Sequence, residues 1–118
     1  MTPNEYQELA SRTCLPRYRK FEGTLSDTHQ HMLHAHFGLS SEVGEIGDAL
    51  KKHFIYGNTM DYANIAEECG DILWYLSLML SATGYSMEEV MEQNIEKLKI
   101  RYPEKFTEEH AKMRLDKQ

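Results

Sequence analysis

The sequence has few of the residues that interrupt helices. Three prolines occur in 118 residues, at positions 3, 16 and 103, so nothing between 17 and 102 forbids a helix. Cysteine is scarcer still. Cys14 and Cys69 do not make a disulfide framework, which excludes a cystine-stapled secreted fold and leaves a reduced, cytoplasmic setting as the default. Long apolar runs are missing: Ile72 to Leu80, with Ser77 inside it, is too short to span a bilayer. The first residues, MTPNEYQELA, lack the basic stretch followed by an apolar one that marks a secretory signal. Positive charge is in deficit, with 13 Lys and Arg against 19 Asp and Glu and a net charge of -6, which argues against a nucleic-acid backbone as partner. A small phosphate-bearing ligand stays open, because a bound divalent cation reverses the local sign.

Enough apolar residues are present for a core. The 41% hydrophobic and 27% charged content places the chain among globular proteins, and its length fits one domain over 1–118. Thr2-Pro3-Asn4-Glu5 reads as an N-cap, a first-turn proline and a capping-box glutamate, opening a helix to about Ser11. Residues 13–27 show no period. From about Asp27 to Tyr56 a helical stripe runs through Met32, Leu39, Val43, Ile46 and Leu50. Gly57-Asn58-Thr59 punctuates it, and a third helix from about Asp61 to Thr83 repeats Ile65, Cys69, Ile72, Leu76 and Met79. Gly84 ends that helix, and Ser86 with Glu89 forms a second capping box for a fourth helix to Tyr102. The expectation is all-α: an antiparallel four-helix-bundle-like domain with a helical core at about 28–102, an N-terminal helix and loop at 1–27 and a tail at 103–118.

Acids sit close to the faces these helices should bury. At about 100° per residue, Glu42 falls near -60° and Glu45 near -120° from Leu39 on the second helix. On the third, Glu68 and Asp71 fall at about the same offsets from Ile65. A short link implies an antiparallel hairpin, in which equal offsets land on one open side of the seam. Each pair, Glu42 with Asp71 and Glu45 with Glu68, is symmetric about the Tyr56–Gly57 bond, so each pair lies level. Four converging carboxylates repel unless protons or hard divalent cations neutralise them. Solvated edge residues are the bland alternative, but the matched offset and height favour a metal site at Glu42, Glu45, Glu68 and Asp71.

A second set lies on the fourth helix. Asn94, Lys97 and Arg101 share one face beside Met87, Met91, Leu98 and Tyr102, two cations and an amide suited to phosphate oxygens beyond a metal cluster. His29, His31, His34 and His36 crowd the second helix without a cysteine set, and a helix surface is favoured there over zinc. Trp74 and Leu78 point away from the third helix's main stripe, which suggests a subunit interface. The loop from Thr13 to Asp27 carries Arg17, Arg19 and Lys20 among Tyr18 and Phe21, a mix suited to a flap over a nucleotide or to a plain connector.

Glu42-x-x-Glu45, Glu68-Cys-Gly-Asp71 within EECGDILWYL, and Asn94-x-x-Lys97-x-x-x-Arg101-Tyr102 together resemble the MazG-like all-α nucleoside triphosphate pyrophosphohydrolases over about residues 28–107. The resemblance implies cleavage between the α- and β-phosphates of a (deoxy)nucleoside triphosphate, giving monophosphate and pyrophosphate. It also implies Mg²⁺ at the four acids, with Mn²⁺ as a substitute, and a dimer or dimer of dimers. On that reading Glu45 takes the proton of the attacking water, and Lys97 and Arg101 counter phosphate charge. Asn94, Tyr102, Arg17 and Arg19 join them in binding substrate. The role would be nucleotide-pool control or, as in some phage relatives, supply of a chosen monophosphate such as dGMP. A dUTP or phosphoribosyl-ATP pyrophosphatase is the close variant, and a non-catalytic metal-binding module is the alternative from another class. A di-iron bundle wants Glu-x-x-His pairs, and neither Glu42 nor Glu68 has a histidine three residues on.

Overall fold

In a computed structural model, residues 1–16, 18 and 23–118 are described. Among them are five α-helices and no strand: α1 Pro3–Ser11, α2 Asp27–Phe54, α3 Tyr62–Thr83, α4 Met87–Arg101 and α5 Glu108–Met113, with a 3₁₀ turn at Leu115–Lys117. Local chemistry sets the ends. Thr2 and Glu5 form a reciprocal capping box on α1, and Ser86 and Glu89 do the same on α4. Ser26 accepts from the His29 amide and Asp61 from the Asn64 amide, satisfying donors that α2 and α3 leave free. Gly84 closes α3 in the left-handed region at φ 84°, where a side chain would be unfavourable.

The turn after Phe54 reverses the chain, so α2 and α3 lie antiparallel and form the principal pairing of the fold. Gly38 of α2 faces the Tyr75 ring of α3, which occupies the space a Cβ on Gly38 would need. α1 lies along α3 and ties the α3–α4 junction. Gln7 donates to Ser81 Oγ and to the Tyr85 carbonyl, and its Oε1 accepts from the Met87 amide, while Asn4 Oδ1 accepts from the Glu88 amide.

This packing narrows one expectation, that of the apolar residues of α3 free to meet a second chain. Helix α1 packs on the Leu78 side of α3 and removes Leu78 from the surface, while Trp74 stays half-buried. Leu78 is buried, and Trp74 donates its indole N–H to Thr13 Oγ1 at 2.8 Å. Exposed apolar side chains remain on three helices: Val43 and Leu50 of α2, Leu73 and Leu76 of α3, and Met91, Ile95, Leu98 and Ile100 of α4. The tail after Pro103, read from sequence without structure, contains α5 and the 3₁₀ turn, both packed against α4.

Candidate active site

The α2–α3 pairing gathers acids from both helices. Glu42, Glu68 and Asp71 each offer a carboxylate oxygen, and these oxygens lie within 4.8 Å of one another. No other group of three or more metal-ligating side chains comes together in this way among the described residues. Glu68 is buried at 7% exposure. Its Oε2 and that of Glu42 are shielded from solvent and have no hydrogen-bond donor. Their polar neighbours are other carboxylates, since Glu68 meets Glu42 on one side and Glu45 on the other. Two carboxyl groups bond to each other only when one holds a proton.

The electrostatics follow from that crowding. Contact with Glu68 raises the Glu45 carboxyl above its usual range. Contact with Glu42, then burial, raises that of Glu68. Across the seam Tyr6 of α1 is also pushed up, first by burial and then by the Asp71 charge. A hard cation with oxygen preference would meet the unpaired oxygens and cancel the repulsion that protons now relieve. The donor set therefore fits a divalent metal.

Two clefts adjoin the acids. One, of about 400 Å³, is lined by Glu42 and Asp71 with Thr13, Trp74 and Tyr75. The other, of about 500 Å³, holds Glu45 and Glu68 and runs to Lys52, Asn58, Thr59 and Asn64 at the α2–α3 turn. The level pairs expected from the hairpin thus open on different clefts. Trp74 and Tyr75 meet edge to face at 5.0 Å and present aromatic surface beside acids. Sequence reasoning placed Trp74 in an interface and gave Tyr75 no role. An aromatic pair three and four residues after Asp71 was the available signal, since those positions flank the same helix face.

The fourth-helix set is not brought to the acids within one chain. None of Asn94, Lys97, Arg101 or Tyr102 lines either cleft. Arg101 is instead bound by Asp116, Nε to Oδ1 at 2.7 Å and Nη2 to Oδ2 at 3.1 Å. Arg17 and Arg19 lie outside the described residues. Among the described residues the histidines join no metal-ligating group, and the Tyr18 hydroxyl lies 2.9 Å from His31 Nδ1 and 2.8 Å from His34 Nδ1. Burial, then the neighbouring His31, lowers the His34 pKa, which favours a neutral ring bonded to Tyr18.

The family model described as the MazG nucleotide pyrophosphohydrolase domain matches residues 28–106. No curated protein and no solved structure matches the chain significantly. The matched segment starts at the beginning of α2 and includes both acid pairs and all of α4.

Proposed function

Because the chain belongs to the MazG nucleotide pyrophosphohydrolase family, we propose that it hydrolyses a (deoxy)nucleoside triphosphate between the α- and β-phosphates, releasing the monophosphate and pyrophosphate. One observation carries this function: buried oxygens of Glu42 and Glu68 without donors stand beside Asp71 at ligand spacing. Glu42, Glu68 and Asp71, with Glu45 beside them, would hold Mg²⁺, with Mn²⁺ as a substitute. When bound, such an ion neutralises phosphate charge and lowers the pKa of a water. Glu45 is the carboxylate left outside the three-acid group, and its raised pKa suits it to accept the proton of the attacking water.

The rings of Trp74 and Tyr75 give the nucleoside an apolar wall next to Glu42 and Asp71. Asn94, Lys97, Arg101 and Tyr102 are assigned to the phosphates. Since none of them lines the acid clefts of its own chain, we assign their approach to a homo-oligomer, a dimer or a dimer of dimers, sealed through the exposed face of α4. Two free cysteines and a nucleotide substrate accord with a cytoplasmic enzyme of nucleotide-pool control.

The test is product identity. A panel of ribo- and deoxyribonucleoside triphosphates with Mg²⁺ is expected to yield monophosphate and pyrophosphate. Release of nucleoside diphosphate and orthophosphate would assign cleavage to the wrong bond. Metal binding without turnover of any triphosphate would leave a non-catalytic module.

A further inference from the structure

The C-terminal tail holds a part-buried ion pair that lies outside the α2–α3 pairing. After α5 the chain turns at Arg114, the one residue other than glycine with positive φ among those described, at 48°. A left-handed residue with a Cβ is unfavourable, yet it reverses the chain into the 3₁₀ turn that carries Asp116. The Asp116 side chain is only 4% exposed, and its partner Arg101 is 19% exposed. The contact is bidentate, engaging Nε and Nη2. This is the planar fork geometry that fixes a guanidinium in orientation as well as position.

The pair leaves Arg101 partly free. A guanidinium has five N–H donors, and Asp116 takes two, so three remain, and with Tyr102 also within hydrogen-bond reach of the guanidinium, at least part of them can be offered elsewhere. Asp116 also lines a cleft of about 540 Å³ together with Lys97, so the pair stands beside the second cation of the α4 set.

We infer that Asp116 is a positioning residue for the reaction: it orients the Arg101 guanidinium so that its remaining donors meet a substrate phosphate. This role depends on the phosphate-binding role proposed above for Arg101. The hydrogen bond to Asp116 also pushes the Arg101 pKa up, and the same bond holds the Asp116 carboxyl below its usual range. Both groups therefore stay charged throughout the range in which nucleotides are triply or quadruply anionic.

A double-mutant cycle on full-length protein tests this, using pyrophosphate release from a Mg²⁺–triphosphate substrate. Asp116→Asn is expected to lower kcat/KM about ten- to a hundredfold, the span of coupling between contacting charged residues. In the Arg101→Ala background the same change is expected to cost nothing further. Added guanidinium is expected to restore part of the activity of Arg101→Ala, and to fail when Asp116 is also Ala, a dependence that a merely structural tail would not produce. Full activity in Asp116→Asn, or losses that simply add across the cycle, would overturn the positioning role while leaving the pyrophosphohydrolase intact. Undiminished activity in Arg101→Ala, or a wild type that releases no pyrophosphate, would remove the function on which it depends.

Discussion

The acid cluster makes a specific demand at the level of single residues. Glu45 and Glu68 hold their protons more tightly in the fold than in an unfolded chain. A carboxyl group with a raised folded-state pKa contributes stability that is complete below its unfolded pKa and is lost as pH rises through the folded one. The metal-free protein should therefore lose thermal stability as pH climbs from the ordinary glutamate range towards neutrality. Mg²⁺ or Mn²⁺ should restore it, and by more at higher pH, because the cation displaces protons that are by then scarce. Melting curves in EDTA and in metal across that range check both signs. Glu68→Gln should remove the pH dependence and the metal response together, with a metal-free Tm at or above that of wild type. A metal-free Tm that rises steadily towards pH 7 would contradict the crowding.

At the level of elements, the helix ends were legible in the sequence because their causes are local. Thr2 with Glu5 and Ser86 with Glu89 act within four residues of each other, and Gly84 stops α3 by its own backbone freedom. The gathering of Glu42, Glu68 and Asp71 was legible for a related reason, since one short turn fixes the register of the two helices. Contacts that depend on a distant partner were not. Nothing in the helical period marks Gly38 as the position over which the Tyr75 ring lies. Leu78 looked free for an interface because a helix wheel does not show that α1 folds back onto α3. Asp116 meets Arg101 across 15 positions and an irregular turn that no periodicity marks. The Gly38 crossing gives a test of its own. Gly38→Ala must displace the Tyr75 ring or part the helices, and overpacking of this kind costs typically about 1–3 kcal/mol. A urea midpoint lowered to match, with unchanged slope, is expected; an unshifted midpoint would mean that α2 and α3 do not approach so closely.

At the level of the whole molecule, the single chain is open for its length. Its radius of gyration is 17.9 Å, against about 13–14 Å for a compact domain of this length. Only Ala35, Leu78 and Met87 are buried apolar residues among those described, so a single copy buries little of the apolar content its sequence carries. Association through α4 would cover Met91 and Ile95. Light scattering at micromolar concentration should give a dimer or larger, and Ile95→Asp should shift it towards monomer; a monomeric wild type would contradict this. The proposed function rests on the acids of α2 and α3, and pyrophosphate release at saturating Mg²⁺ tests them most directly. Wild type should convert a (deoxy)nucleoside triphosphate to monophosphate and pyrophosphate. Glu42→Gln, Glu68→Gln and Asp71→Asn should each abolish that turnover while remaining folded. Near-normal pyrophosphate release by all three variants would contradict the metal-site assignment.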